Sequence, residues 1–181
     1  MARKISMKQA INEALDQEMA RDPSVIMMGE DIVGGAGGNG EMDAWGGVLG
    51  VTKGLYAKHG DRLLDTPLSE SAYIGAAIGA ASCGMRPVAE LMFIDFMGVC
   101  FDQIYNQAAK WSYMSGGLIS VPLVIRSSAG AGKGYGGQHS QSLESHSCHT
   151  PGIKVVFPST AYDVKGLLKT AIRDDNPVMF C

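Results

Sequence analysis

Residues 63–93, LLDTPLSESAYIGAAIGAASCGMRPVAELMF, read as strand, helix and strand in immediate succession. Leu63-Leu64 begins a short apolar strand, closed by Asp65-Thr66-Pro67. Ser69 stands where it can cap a helix running from Glu70 to about Cys83, and Pro87 to Phe93 forms the next strand. The helix is rich in Ala and Gly, which let other backbones approach closely, so it is expected to be packed on several sides. A strand, a crossover helix and a second apolar strand make the repeating unit of a parallel sheet.

The pattern continues outward. Residues 6–20 predict an amphipathic helix with Ser6 as its N-cap and Ile11, Ala14, Leu15 and Met19 at helical spacing. Val25 to Met28 is an apolar strand ending at Gly29-Glu30-Asp31. Residues 33–50 are glycine-rich and read as a long loop. Thr52 to His59 predicts a short helix, and 97–113 a long one. Val121 to Arg126 is a strand, followed by a second glycine-rich loop over Ala129–Gly137. Ile153 to Phe157 is a strand, Thr160 to Arg173 a helix, and Val178 to Phe180 the closing strand. The strands are short and apolar without alternation, as in a sheet covered on both faces. The expected fold is a doubly wound α/β domain of about six mostly parallel strands, with ligands at their carboxyl ends.

Composition narrows the class. The chain has 181 residues, enough for one domain with a real core, and 46% of them are hydrophobic. Charged residues make up only 18%, which suggests that partners cover part of the surface. A net charge of −3 with scattered Lys and Arg excludes an electrostatic case for nucleic acid. No apolar run reaches the ~20 residues of a membrane span. Cys83, Cys100, Cys148 and Cys181 form no CxxC pair and read as free thiols of a reducing cytoplasm. The chain stops within an apolar strand, so it is expected to be one domain of a longer protein.

Three groups at strand ends carry candidate chemistry. Glu70 opens an apolar helix; it is either a first-turn acid facing the helix dipole or a partly buried carboxylate next to Tyr73 and Ile74. Glu30 ends a strand, where an ordinary loop acid is the alternative. His139 follows the mobile-looking glycine loop, where a simple loop histidine is the alternative. The stretch 137–152, GQHSQSLESHSCHTPG, collects His139, His146, Cys148 and His149, but without paired zinc spacing. No P-loop or nucleophile elbow occurs, and a loose GxGxxG over Gly132–Gly137 is only a weak signal. A charged cofactor would therefore need a second chain to hold its charged end.

Taken together, Met27-Met-Gly-Glu-Asp31, Leu64-Asp-Thr-Pro-Leu-Ser-Glu70, Gly84-Met-Arg-Pro-Val-Ala-Glu-Leu-Met-Phe93, Gln138-His-Ser-Gln141, Pro151-Gly-Ile-Lys-Val-Val156 and Ala171-Ile-Arg-Asp-Asp-Asn-Pro177 resemble the β subunit of thiamine-diphosphate-dependent 2-oxo acid dehydrogenases, the E1 component. The resemblance spans the chain and corresponds to the pyrimidine-binding domain, residues 1–181, without the family's C-terminal transketolase-like domain. The insert Gly34 to Tyr56 is most similar to acetoin dehydrogenase β, with pyruvate dehydrogenase β second and a branched-chain enzyme as a further alternative.

The resemblance implies an α2β2 heterotetramer with an E1 α subunit, which grips the diphosphate and Mg²⁺, and transfer of the acyl group to the lipoyl domain of an E2 acyltransferase. Glu70 matches the glutamate that bonds the pyrimidine ring nitrogen. Glu30, Leu68, Met92 and Phe96 match the pyrimidine pocket, though Met92 and Phe96 also suit a plain core. His139 matches a histidine at the active-site mouth that assists acyl transfer. Leu123, Ala171, Ile172, Asp174 and Asn176 match a structural K⁺ site of some relatives. His146 and Cys148 depart from the family's usual apolar or small residues. The competing reading is a domain that only binds a partner.

Overall fold

The computed structural model describes residues 3–34 and 46–181. The expected helix forms as α1, Met7–Arg21, and its start is a capping box: Ser6 Oγ accepts the Gln9 N–H while the Gln9 side chain accepts the Ser6 N–H. The remaining elements are β1 (Val25–Gly29), α2 (Tyr56–His59), β2 (Leu63–Asp65), α3 (Glu70–Ser82), β3 (Arg86–Phe93), α4 (Trp111–Met114), β4 (Val124–Ser128), α5 (Glu144–Cys148), β5 (Lys154–Val156), α6 (Ala161–Arg173) and β6 (Val178–Phe180). One six-stranded, wholly parallel sheet runs in the order β2-β1-β3-β4-β6-β5. Helices cover both faces, as the unbroken apolar strands require.

The sheet divides the core in two. On one face α1 and α6 bury Leu15, Met19, Leu168 and Ile172 against Met27, Val88 and Phe180. On the other, Ile74, Ala77 and Ile78 of α3 pack with Met97 and Ile104 on Met28, Leu91 and Ile125. Because α3 keeps Ala72 and Ala76 exposed, it is packed on its sheet side and one flank rather than all round.

Three local expectations change. Ser69 does not cap α3: its hydroxyl donates to the Pro67 carbonyl (3.3 Å) instead of accepting a helix N–H. The helix expected over 97–113 is broken into a 3₁₀ segment, Ile94–Cys100, a π segment, Gln103–Ala108, and α4. The Asp102 carboxylate accepts both the Asn106 and Gln107 side-chain amides, and the Ala109 N–H reaches back to the Ile104 carbonyl (3.1 Å), a five-residue step. Of the helix expected over Thr52–His59 only the last turn is α-helical, followed by a 3₁₀ turn, Gly60–Arg62. Part of the Gly34–Tyr56 insert, residues 35–45, lies outside the described residues.

The chain leaves β1 toward β2 on one side and returns through α3 to β3 on the other. The strand order therefore reverses between β1 and β3, and the crevice at their carboxyl ends is where such sheets hold ligands.

Candidate active site

Glu30 and Met92 meet in that crevice. β1 and β3 approach so closely that a Cβ on Gly29 would lie 2.8 Å from the Glu90 Cβ, so only glycine fits there. Directly after it, Asp31 adopts φ 54°, the left-handed region that L-residues seldom enter. The turn is held in place from outside: the Asp65 carboxylate accepts the N–H groups of Val33 (2.7 Å) and Gly34 (3.0 Å), and the Thr52 hydroxyl donates to the Ile32 carbonyl (2.6 Å). Backbone strain kept by several bonds is typical of a functional turn.

A cavity of about 480 Å³ opens in front of it. Glu30, Leu68, Met92, Phe96 and His139, all five named from the sequence, line it together. Phe93, Tyr135, Val48 and Leu49 complete the walls. Met92 and Phe93 are consecutive yet both face this space. The pairing of β3 with β4 slips between Leu91 and Phe93, and the bulge turns the last side chains toward the crevice. Leu68 is 79% exposed and forms the open rim.

His139 is held among aromatic edges. Its ring centre lies 4.9 Å from that of Phe93 and 5.1 Å from that of Phe96, both nearly perpendicular, and Phe93 meets Tyr135 the same way at 5.8 Å. The loop carrying His139 closes on itself through the Gly130 N–H and the Gln141 carbonyl (2.8 Å).

The acids interact. Glu30 Oε2 is buried without a hydrogen-bond partner. Burial, reinforced by the charges of Glu70 and Asp31, raises the Glu30 carboxyl above the usual carboxylate range. The same Glu70 charge adds to burial in raising the Tyr73 phenol, and in pushing the Cys100 thiol up to about 12. Glu70, half-buried at the first turn of α3, is thus the charge that these three groups share, and it is not among the residues lining the cavity.

The other sequence candidates fall elsewhere. Ala171, Ile172, Asp174 and Asn176 lie at the carboxyl end of α6, and Leu123 precedes β4, bonded to Val178. Several of their oxygens already have partners: Arg86 donates to the carbonyls of Ile172 (3.0 Å) and Asp174 (3.1 Å), Val178 N–H to that of Leu123, and Lys154 to the Asp174 carboxylate. Beyond His139, the segment scatters its ligand types. His146 tilts against Phe101, while Cys148 and His149 are exposed. Among the described residues no three His, Cys, Asp or Glu side chains are placed to hold a metal ion.

Sequence reasoning missed Phe93, Tyr135 and Asp95. Nothing in the local pattern marks the first two, because the bulge and the loop path that aim them are tertiary. All four cysteines are free, and no described helix is long and apolar enough to cross a membrane.

Comparison with known proteins agrees with this geometry. The chain is 75% identical over 181 residues to the acetoin:2,6-dichlorophenolindophenol oxidoreductase subunit beta of Cupriavidus necator, covering all of this chain and 54% of that protein. It is 55% identical to the subunit of the same name from Bacillus subtilis, across 99% of this chain and 54% of the relative. It is 49% identical to the pyruvate dehydrogenase E1 component subunit beta of Chaetosphaeridium globosum, across 95% of this chain and 50% of the relative. The chain thus spans about half the length of these relatives. A solved structure, a split-gene transketolase described as an inactive β4 tetramer, shares the fold at TM-score 0.71 and 20% identity, covering 98% of this chain and 51% of that one. The family model for the transketolase pyrimidine-binding domain matches residues 3–181, so with its parallel sheet and switch-point cavity this chain belongs to the transketolase pyrimidine-binding domain family.

Proposed function

We propose that this chain is the pyrimidine-holding part of the β subunit of a thiamine-diphosphate-dependent E1 enzyme, which cleaves acetoin, or decarboxylates a 2-oxo acid such as pyruvate, and passes the acyl group to lipoamide. The observation that carries the reading is the orphaned Glu30 carboxyl at the end of β1, facing a cavity walled by Met92, Phe96 and His139. An aminopyrimidine suits that set: a flat ring for the thioether and aromatic walls, and an amino group for a buried acceptor that has no partner. Bound thiamine diphosphate supplies the carbanion chemistry of the reaction.

This chain's residues hold and tune. Glu70, whose charge reaches Glu30 at the end of β1, would share a proton with the pyrimidine ring nitrogen, and its partly buried position would keep that exchange away from bulk water. Glu30 bonds the ring's edge. Met92, Phe96 and Leu68 set the ring's plane and exclude water. His139, held at the mouth by aromatic edges, stabilises charge or moves a proton during acyl transfer. Among the described residues none lining the cavity is Lys or Arg, in keeping with a diphosphate and Mg²⁺ held by an α subunit in an α2β2 assembly, with the lipoyl domain approaching over the exposed rim. A K⁺ ion at Leu123 and residues 171–176 would have to share or displace the Arg86 and Lys154 contacts, and no step here runs through it. The compartment is the cytoplasm, in keeping with four free thiols.

The test is Glu70→Ala in the full-length chain assembled with its α partner. We expect turnover to fall about 100-fold or more with the assembly intact. Near-normal turnover overturns the role of Glu70. A calorimetric titration with thiamine diphosphate completes it: if α neither binds nor restores cofactor affinity, the chain is a partner-binding domain instead.

A further inference from the structure

A second cavity, about 220 Å³, adjoins the first. The two share three walls, Phe93, Tyr135 and His139. The far side of the smaller one is Ser128, Ala129, Gly130 and Gly132, almost all backbone and small side chains. From the shared space at His139, one direction leads to the acidic and thioether walls around Glu30 and Met92, and the other to this small chamber.

We infer that the smaller cavity seats the carbon chain of the substrate, and that Phe93 limits its length to a short-chain acyloin or 2-oxo acid. The inference rests on the proposed function, which puts the flat ring of the cofactor in the larger cavity and the reacting carbon next to His139. The bulge after Leu91 aims Phe93 into the partition. Edge-on contacts with His139 at 4.9 Å, Tyr135 at 5.8 Å and Phe96 at 6.2 Å hold its ring from three sides, so it acts as a fixed wall. The chamber has a little under half the volume of the larger cavity, so it takes a short carbon chain rather than a second ring. With Phe93 held as a wall, each added methylene of that chain must be seated against a fixed aromatic ring. Gly132 offers a way to fill the chamber from the other side: a Cβ added there meets nothing within 4 Å, and its backbone lies outside the left-handed region.

The experiment uses the full-length chain assembled with its α partner and thiamine diphosphate. The ratio of kcat/KM for 2-oxopentanoate to that for pyruvate, and for propioin to that for acetoin, is measured in the parent, Phe93→Leu and Gly132→Val. Phe93→Leu should raise both ratios about tenfold, the discrimination that a methylene or so commands in an apolar pocket, and Gly132→Val should lower them. A second readout needs no turnover. Carbethoxylation of His139 by diethyl pyrocarbonate, followed by peptide mass spectrometry, should be slowed by pyruvate in all three proteins but by 2-oxopentanoate only in Phe93→Leu. If both variants bind the cofactor with parent affinity and keep both ratios within twofold of the parent, Phe93 does not set chain length and the inference fails alone. If the parent assembly binds no thiamine diphosphate, the proposed function fails and takes this inference with it.

Discussion

Asp95 holds Gln141 by two bonds: its Oδ1 accepts the Gln141 backbone N–H at 3.3 Å and the side-chain amide at 2.8 Å. This ties the loop carrying His139 to the segment carrying Phe96. The loop is otherwise held by its own turns and by the edge contacts of Tyr135 and His139 rather than by a strand or helix ladder, which puts it toward the low-stability end of the molecule. Asp95→Ala should therefore raise amide hydrogen exchange over residues 129–141 while changing global stability by less than about 1 kcal/mol. The loss of the acceptor is partly offset because the buried Asp95 Oδ2 has no partner. Unchanged protection of the loop would show that its position is set elsewhere.

Glu30 gives a pH signature. Its carboxyl is raised in the fold by burial, then by Glu70 and Asp31. The unfolded chain therefore releases that proton first, and the folded state loses stability as the pH rises above the ordinary carboxylate value. Glu30→Gln should stabilise the chain at neutral pH by about 1 kcal/mol and by nothing in acid, where both states are protonated. Thermal melts across pH check this; an equal gain in acid would mean that charge is not the cause.

Glu18 has the opposite sign. Burial works against its ionised form, but hydrogen bonds from Arg173 and Arg21 outweigh it and hold the carboxyl below the usual range. That stability is fully present above the ordinary carboxylate value and is lost as the pH falls through the depressed one. Because Glu18 on α1 is held by Arg173 on α6, Glu18→Gln should loosen the helix pair by about 2 kcal/mol at neutral pH and flatten the acid limb of a stability profile. A mutant with the parent's acid slope would contradict this.

Two glycines should answer an Ala substitution in opposite ways. Gly152 has φ 102°, and a Cβ there would lie 2.1 Å from the Ala109 carbonyl oxygen, at the end of the π segment. Gly152→Ala should cost about 3 kcal/mol or more by denaturant titration. Gly166 sits exposed inside α6 with nothing near its absent Cβ, and Gly166→Ala should add about 0.5–1 kcal/mol through backbone entropy.

The sequence by itself determined the order of the strands and of the longer helices, though not the short α5, because apolar runs and helical spacing are local properties. The strand starting at Val25, the helix from Glu70 and the last strand, Val178 to Phe180, were legible for that reason. It also marked Glu30 and His139, since a strand's carboxyl end and a glycine-rich loop can be read without knowing their neighbours. Tertiary structure decided the rest. Residues 97–113 look helical by period, but the Asp102 side chain and the packing of Gln103 against Gly75 impose a wider turn. Ser69 looks like a cap, but the Pro67 carbonyl takes its hydroxyl. Met92 and Phe93 should face opposite ways by strand alternation, and only the slip of β3 against β4 turns both toward one crevice. Which side chains share a cavity depends on register between strands distant in sequence, and no local pattern records that register.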